Sequence, residues 1–266
     1  MPILQKQGIR LLLLQSMNKI IIVTVKYIAH AEKIPGMETI TIDNSPPLEN
    51  RGFARGANIG IKKALTSGAN KILLLNPDIK INKEQILKLS KNNADIVSPV
   101  LKTDGILDFG GKINWMMGRA THQKTDSGRG QNDAQKKIDA IASLQHDDAQ
   151  TIDYVSGACM MIDKKVFEKI GFFDERFFMY FEDTDFCLRA KQAGFKISIN
   201  TDITVDHLLS KNKLKNIYVL KSNFKFINKW VSWYFRPFAY IYLFWMWTKI
   251  RDAETLRPRS GRASSA

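Results

Sequence analysis

The sequence predicts an α/β fold in which a mixed, mostly parallel sheet is flanked by helices. Continuous apolar runs rich in β-branched residues occur at residues 19–25 (KIIIVTV) and 71–75 (KILLL), as expected for strands that are buried on both faces. Segments with helical periodicity lie between such runs. Strands that alternate with helices, each strand apolar throughout, are typical of a layered α/β domain.

The first half of the chain divides into elements in a simple order. Apolar residues at helical spacing (Ile59, Ile61, Leu65) predict a helix over residues 53–67, and Gly68 supplies the stop signal. The remaining predicted elements are strands at residues 19–25, 38–43, 71–75 and 95–100 and a helix at 83–91.

The second half contains a glycine-centred apolar segment, an acidic helix start and a final strand region. Residues 152–162 are apolar around Gly157 and Ala158, where backbone or a ligand can approach closely. A helix is predicted over residues 182–193, because three acids at its start suit the positive end of the helix dipole. Residues 196–207 are predicted to form one or two short strands.

The chain is predicted to contain one main domain with extensions. Residues 1–18 form an N-terminal extension whose apolar core is too short for a convincing secretory signal. The domain spans residues 19–210, and within it residues 118–150 are a polar excursion in which His122 and His146 are expected to be solvated. A basic, aromatic helical tail covers 211–250, and 251–266 are expected to be disordered.

The tail is the second compositional feature. Six lysines lie between residues 211 and 229, and four of the five tryptophans fall in 230–250. Arg236 and Pro237 interrupt the apolar stretch, so we expect a membrane-associated helix that lies in the interface of an anionic membrane. Packing against the domain or against a partner subunit is the alternative, and an oligomer through these C-terminal helices is possible.

Net charge points to an acidic partner. The formal charge of +14 favours polyanions such as nucleic acid, an anionic membrane or phosphorylated substrates. The chain contains no recognised nucleic-acid-binding motif, so a nucleic-acid partner is not expected. Two cysteines without metal-ligand spacing suggest a reducing compartment. We expect a cytoplasmic protein, peripheral at the inner face of the plasma membrane.

Acidic residues gather among aromatic rings in residues 171–189 (GFFDERFFMYFEDTDFCLR). Carboxylates are rarely placed among Phe and Tyr unless a ligand or partner occupies them, because desolvating an unpaired charge is costly. The run therefore predicts the wall of an active site; an exposed helix start beside ordinary core aromatics is the alternative. Asp163, just upstream, is expected to be a helix cap. Two further acids, Asp43 and Asp78, end strands at the edge where ligands collect in such sheets.

Four segments together resemble the family 2 glycosyltransferases, the inverting enzymes of Rossmann-like GT-A fold, and among them the bacterial rhamnosyltransferase-type members that build cell-surface polysaccharide. The segments are ITIDNS (40–45), NRGFARGANIGIKKA (50–64), ILLLNPD (72–78) and the block from VSGACMMI through EDTDFCLR to VDH. The resemblance covers roughly residues 19–210.

The resemblance implies transfer of a sugar, possibly rhamnose, from a dTDP- or UDP-sugar to a hydroxyl of a glycan or lipid-linked acceptor. It places Asp183 as the general base and Glu182 beside it in an orienting role, with one pKa of the pair raised by the aromatic cleft. Mg²⁺ or Mn²⁺ would be held by Asp78 and His207.

The resemblance also implies a donor pocket and an acceptor side. Arg189 is compatible either with the diphosphate or with an ion pair to Asp185 four residues earlier. Asp174 and Glu175 are expected on the acceptor side. The residues expected to bind the nucleotide sugar are Asp43, Asn50, Gly52, Asn58, Asn76, Asp78, Gly157, Ala158 and Arg189.

Two departures from the family pattern keep other functions open. The segment 26–37 is short, and Pro46-Pro47-Leu48 replaces the family's usual second aspartate. The alternative function is therefore a weakened or inactive GT-A carbohydrate-binding protein. A nucleotidyltransferase would need a glycine-rich, lysine-bearing phosphate loop near its first strand, and residues 19–37 contain none.

Overall fold

The computed structural model describes residues 19–27, 33–46, 50–126, 152–208 and 215–255. The predicted N-terminal extension, most of the polar excursion with His146, and nearly all of the C-terminal segment predicted to be disordered lie outside the described residues. Those expectations remain predictions.

The predicted strands and helices are present, and the structure adds four strands. The strands are β1 (Ile20–Lys26), β2 (Glu38–Asp43), β3 (Lys71–Leu75), β4 (Ile79–Lys80), β5 (Ile96–Thr103), β6 (Ile106–Asn114), β7 (Arg119–Asp126), β8 (Cys159–Asp163) and β9 (Ile197–His207). The helices are α1 (Phe53–Thr66), α2 (Lys83–Ser90), α3 (Lys164–Ile170), α4 (Glu182–Gln192), α5 (Lys215–Trp230) and α6 (Arg236–Thr255). Asp163 caps α3 by accepting a hydrogen bond from the Lys165 amide, as predicted. The strands β4, β6, β7 and β8 were not expected.

The sheet is mixed, and the prediction that it is mostly parallel is wrong. Its strand order is β2-β1-β3-β8-β5-β6-β7, with β9 beside β5 and β4 beside β9. Only the β1–β2, β1–β3 and β5–β9 pairs of the described sheet are parallel. Strand β8 runs antiparallel to both of its neighbours, β3 and β5, and β5, β6 and β7 form successive hairpins. An apolar run predicts a buried strand but carries no information on its direction.

Helices cover both faces of the sheet and divide the core in two. Ile21 and Val23 of β1 face a cluster that contains residues of α1, α3 and α4, whereas Ile22 faces a second cluster with Ile86 and Leu89 of α2. This alternation follows from the two-residue period of a strand. Burial on both faces explains why the strands read as continuous apolar runs.

Part of the predicted polar excursion is ordered sheet. Residues 119–126 form β7, which pairs with β6. His122 is not simply solvated, because its Nδ1 lies 3.1 Å from Asp108 Oδ1 and its ring meets Tyr154 edge-on. Within the described sheet, β7 lies at one end of the main strand order, where polar residues are tolerated better than in a central strand.

The first tail helix, α5, extends the packed domain beyond residue 210. Phe226 and Ile227 are fully buried. The Ser222 hydroxyl donates to the Met179 carbonyl at 2.8 Å, and Asn223 Nδ2 donates to the Gly118 carbonyl at 3.0 Å. Helix α6 packs on α5 through a small cluster around Ala239. None of the described helices has the length and apolar character needed to cross a bilayer.

Candidate active site

Several strand ends meet at one edge of the sheet and carry the predicted site residues. Strand β8 is antiparallel to β3 and to β5, and β9 is parallel to β5, so β9 points in the same direction as β3. The carboxyl ends of β2, β3 and β9 therefore lie on the same edge of the sheet. This places Asp43, Asp78 and His207 there, as expected for ligand sites of α/β sheets.

Asp78 and His207 form a pair at this edge. The short strand β4 pairs Ile79 with His207, and this holds His207 Nε2 3.5 Å from Asp78 Oδ2. Asp78 Oδ1 is buried and has no hydrogen-bond partner. A buried carboxylate oxygen without a partner is costly, and an oxygen-preferring divalent cation would satisfy it.

The pair fits an open metal site rather than a closed one. The part of the chain that the structure describes contains no group of three or more His, Cys, Asp or Glu side chains arranged to hold a metal ion. Mg²⁺ and similar hard cations commonly bind through one or two carboxylates and take their remaining ligands from water and substrate phosphates. Asp78 and His207 would therefore supply the protein's share of such a site.

Asp183 is held against the segment that contains Gly157. Its Oδ2 accepts a hydrogen bond from the Gly157 amide at 2.9 Å, and its Oδ1 accepts one from the Thr184 amide at 2.7 Å. The two residues are in close proximity, since a Cβ at Gly157 would be in van der Waals contact with the Asp183 Cβ at 3.4 Å. The Thr184 hydroxyl also donates to Oδ1 at 3.3 Å, so the three hydrogen bonds fix the orientation of the carboxylate and leave Oδ2 with a lone pair that can accept a proton.

The segment 156–158 connects the metal pair to Asp183. The Asn76 amide donates to the Ala158 carbonyl at 2.8 Å, and Asn76 lies two residues before Asp78. The neighbouring residue Gly157 binds Asp183. The structure thus brings together Asn76, Asp78, Gly157, Ala158 and Asp183, which sequence reasoning had placed in one site.

A strained turn sets the direction of the two adjacent acids. Tyr180 and Phe181 both have φ of 67°, a left-handed conformation that costs about 1–3 kcal/mol for each bulky residue. The ring of Phe181 packs against Phe226 of α5 at 5.1 Å between centroids, which helps to hold this turn. Directly after the turn, Glu182 is directed into the interior and Asp183 toward Gly157.

The raised pKa expected in the acidic pair belongs to Glu182. Glu182 is only 5% exposed, and its Oε2 has no hydrogen-bond partner. Burial, followed by the charge of Asp183, raises the pKa of Glu182 well above its usual value. Glu182 therefore differs sharply in environment from its neighbour.

The nucleotide side is built around a close approach between α1 and the acidic loop. Gly52 has φ of 81°, and a Cβ there would lie 2.6 Å from the Phe178 carbonyl oxygen, which accepts the Phe53 amide. Asn50 Oδ1 accepts the Gly52 amide at 3.0 Å. Asn50 and Gly52 thus shape this turn, and only glycine allows the approach.

Asp43 remains available as an acceptor at the end of β2. Hydrogen bonds from Ser45, followed by the ion pair with Lys26, lower the pKa of Asp43 to about 2. An exposed carboxylate at a strand end can accept hydrogen bonds from ribose hydroxyls or base N–H groups.

Sequence reasoning missed two polar residues beside this pocket. Asn44 is buried, and its Nδ2 donates to the Gly52 carbonyl at 3.1 Å. Asn44 Oδ1 and the Tyr27 hydroxyl have no hydrogen-bond partner although both are buried. The position of Asn44, directly after Asp43 in the ITIDNS segment, was the available signal.

Asn58 is a structural residue, which corrects its predicted place in the nucleotide pocket. Its Nδ2 donates to the Phe173 carbonyl at 2.9 Å and to Glu175 Oε1 at 3.0 Å, and its Oδ1 accepts the Phe173 amide. The side-chain amide is thus used to join α1 to the acidic loop.

Arg189 is also structural, and the ion-pair alternative is the correct one. Its Nε donates to Asp185 Oδ2 at 2.9 Å, and its two terminal nitrogens donate to the carbonyls of Ile170 and Phe172 at 2.8 Å. These three contacts direct the guanidinium into the protein, which contradicts a role in binding the diphosphate.

The two acids predicted on the acceptor side differ. Asp174 forms ion pairs with Arg176 at 2.6 Å and Lys229 at 2.8 Å, and these hold the pKa of the Asp174 carboxyl far below its usual range. Asp174 therefore anchors α5, and its place on the acceptor side stays a prediction. Glu175 is half exposed and retains free carboxylate surface beside Asn58 and Arg55.

Sequence comparisons find curated relatives that are named as sugar transferases. It is 33% identical over 156 residues to the low-salt glycan biosynthesis hexosyltransferase Agl10 of Haloferax volcanii, covering 56% of this chain and 46% of the relative. It is 30% identical over 170 residues to the dTDP-rhamnosyl transferase RfbF of Shigella flexneri, covering 62% and 52%. The chain thus spans about half the length of these curated relatives. No protein-family model matches it.

A structural comparison agrees on the fold. The crystal structure of GalNAc-T7 with UDP, GalNAc and Mn²⁺ superposes with a TM-score of 0.52 at 13% identity, covering 77% of this chain and 48% of that one. The resemblance to GT-A-type, rhamnosyltransferase-like glycosyltransferases is confirmed, and the expectation of an enzyme of this class is supported by the relatives' names.

Proposed function

We propose that the chain is an inverting, metal-dependent glycosyltransferase that moves a sugar, possibly rhamnose, from a dTDP- or UDP-sugar to a hydroxyl of a glycan or lipid-linked acceptor in cell-surface polysaccharide synthesis. The observation that supports it most is the position of Asp183 and of the Asp78–His207 pair, which are joined through segment 156–158. The names of the relatives, a hexosyltransferase and a dTDP-rhamnosyl transferase, agree with this class of reaction.

In the proposed reaction, Asp183 removes the proton from the acceptor hydroxyl. The hydroxyl oxygen forms a bond to the anomeric carbon while the bond from that carbon to the diphosphate oxygen breaks on the opposite face, which inverts the configuration. Asp78 and His207 would hold Mg²⁺ or Mn²⁺, which neutralises the departing diphosphate when bound. The fixed carboxylate of Asp183 needs no reorientation to accept the proton.

Replacement of Asp78 by Ala should remove the metal-dependent part of donor binding. Titration calorimetry with dTDP- or UDP-sugar should show donor affinity that rises with Mn²⁺ in the wild type and is about 100-fold weaker in the variant, because the loss of one charged ligand from a two-residue donor set leaves only His207. Asp206→Asn is the matched control, since Asp206 precedes His207 in β9 and is exposed. Equal affinity with and without the metal in the wild type would contradict the assignment.

An assay of donor consumption with an added glycan acceptor distinguishes an active transferase from an inactive carbohydrate-binding protein. An enzyme should convert donor in the presence of a suitable glycan acceptor. Glycan binding without consumption of any nucleotide sugar would instead support the inactive carbohydrate-binding protein, which the short connection between β1 and β2 keeps open.

We also propose that α5 and α6 dock onto an anionic membrane surface, at the cytoplasmic face. Large apolar side chains are exposed on α6 and on the turn before it: Trp233 of the turn is 78% exposed, and Ile241 and Phe244 of α6 are 67% and 64% exposed. An open apolar groove of about 630 Å³ separates the two helices. It is lined by Leu220, Lys221, Phe224, Lys225, Tyr240, Leu243, Phe244 and Trp247. Residues 215–251 contain lysines and arginines and no acidic residue, so charge and apolar surface together suit anionic lipid.

The Phe244→Gln variant should bind anionic vesicles about tenfold more weakly, because burial of a Phe side chain contributes roughly 1.5–3 kcal/mol. Flotation with phosphatidylglycerol-containing and pure phosphatidylcholine vesicles should show binding only to the former, and it should fall with salt. Leu87→Gln, at a residue 42% exposed on α2, is the control. If the wild type does not bind vesicles but self-associates, and Phe244→Gln abolishes the self-association, the exposed apolar surface of α6 joins copies of the chain instead.

A further inference from the structure

Glu182 occupies an environment that does not suit a charged carboxylate. It is the first residue of α4 and is enclosed almost completely. Its Oε2 has no hydrogen-bond partner, and none of the ion pairs found among the described residues includes it. Leaving a buried charge without a partner is among the most costly arrangements in a protein.

The groups that face Glu182 are themselves acidic or neutral. Asp183 of α4, Tyr27 after β1 and Tyr180 of the strained turn interact with it electrostatically, and Tyr218 of α5 faces Tyr27. No cation appears in this set. Burial raises the pKa of Tyr27 well above its usual value, so this phenol stays protonated.

The other acids of the first turn of α4 are stabilised as anions by partners. Asp183 accepts the amides of Gly157 and Thr184. Asp185 is paired with Arg189 and Lys229. Only Glu182 among the three lacks a donor from another residue. The positive end of the helix dipole therefore acts on one fully enclosed acid and on two that are already satisfied.

We propose that Glu182 is held as a neutral carboxylic acid near neutral pH and serves as a positioning residue for Asp183, so that the adjacent acids carry one negative charge between them. The inference rests on the proposed function for its catalytic part only. With Glu182 neutral, the start of α4 can stay buried near Tyr27 and Tyr180 while Asp183 faces Gly157. Ionisation of Glu182 would place a second charge beside Asp183 and force the start of α4 outward.

The protonation state can be tested by stability alone, without any substrate. An acid whose pKa is raised by folding favours the folded state most at low pH, and this contribution is lost as the pH rises from the pKa of the unfolded chain to that of the folded one. Urea unfolding between pH 5 and pH 8 should therefore show the wild type losing up to about tenfold per pH unit in its folded-to-unfolded ratio relative to Glu182→Gln.

Glu168→Gln is the matched control for this experiment. Glu168 lies on α3, is exposed and pairs with Lys164, so its replacement should leave the pH dependence parallel to the wild type. Parallel curves for wild type and Glu182→Gln, or a wild type that gains on Glu182→Gln with rising pH, would overturn the neutral assignment.

The positioning role has a separate readout. Glu182→Ala should lower kcat at least about tenfold, and Glu182→Gln should restore most of that loss, because the amide keeps the shape and neutrality of the protonated acid. Glu182→Gln should also lack the loss of kcat at alkaline pH that ionisation of Glu182 causes in the wild type. Equal loss in both variants would refute positioning by a neutral acid. Absence of transfer by the wild type would refute the proposed function and leave the stability test intact.

Discussion

Asp183→Asn is expected to reduce the turnover of sugar transfer about 10²- to 10⁴-fold, the range that a general base contributes. The amide cannot take the proton of the acceptor hydroxyl, whereas it keeps the size of the carboxylate. It can still accept one of the two backbone amides that now orient Asp183, those of Gly157 and Thr184. The effect should therefore fall on kcat.

Donor binding provides the internal control for this variant. The metal pair of Asp78 and His207 lies on other strand ends, so calorimetric affinity for the nucleotide sugar with Mn²⁺ should change by less than about threefold. Asp202→Asn, which changes an exposed carboxylate on β9, should keep full turnover. Retention of more than a tenth of wild-type kcat in Asp183→Asn would show that another group acts as the base.

The residues of the metal pair could be predicted because each ends a strand in a recognisable segment. Asp78 is the last residue of the segment ILLLNPD, which begins with an apolar run. His207 is the last residue of the VDH segment. Their contact could not be predicted, because it depends on the pairing of β4 with β9. Strand β4 has only two residues and therefore no hydrophobic pattern of its own. The direction of β8 was also hidden, since apolar runs look the same in parallel and antiparallel neighbours.

Asn58 and Arg189 show the limit of reading polar residues in a motif. Both lie in segments that resemble the family, and both have donors that suit a diphosphate. Their side chains donate instead to backbone carbonyls at the end of α3 and in the loop after it, those of Ile170, Phe172 and Phe173, and each also donates to a carboxylate. Such partners are set by tertiary packing, and the sequence does not show which donors are already used.

The largest stability effect is expected at Asp185, which is fully buried in the network that joins α4 to α5. Its Oδ2 accepts a hydrogen bond from Arg189 Nε at 2.9 Å, and its Oδ1 accepts one from Trp230 Nε1 at 2.8 Å. Lys229 Nζ forms an ion pair with the same Oδ1. Asp185→Asn should lower the free energy of unfolding by about 3 kcal/mol, because it leaves the cations of a buried network without their anion. Lys229 retains Asp174, which keeps the expected loss at the lower end of the range for buried pairs.

Thermal and urea unfolding measure this loss directly. A domain of this size should lose roughly 6–12 °C in Tm for such a change. Asp202→Asn removes only a surface ion pair with Lys88, and the Asp202 side chain is 70% exposed. This variant should therefore lower the free energy of unfolding by at most about 1 kcal/mol. A loss below about 1 kcal/mol in Asp185→Asn would show that the network contributes little.

The same network predicts the behaviour of a chain that ends at residue 210. Such a truncation removes Lys229 and Trp230, the two α5 partners of Asp185. It also removes Phe226, so the ring of Phe181 loses the ring that it packs against. Asp185 would then keep only Arg189, and the strained turn at Tyr180 and Phe181 would lose the packing that holds it. We therefore expect the 1–210 chain to unfold at lower urea concentration than Asp185→Asn, whereas a chain that ends after Trp230 should approach wild-type stability. The helix α4 is therefore expected to depend on α5 for its stability, and a 1–210 chain as stable as the full chain would disprove that dependence.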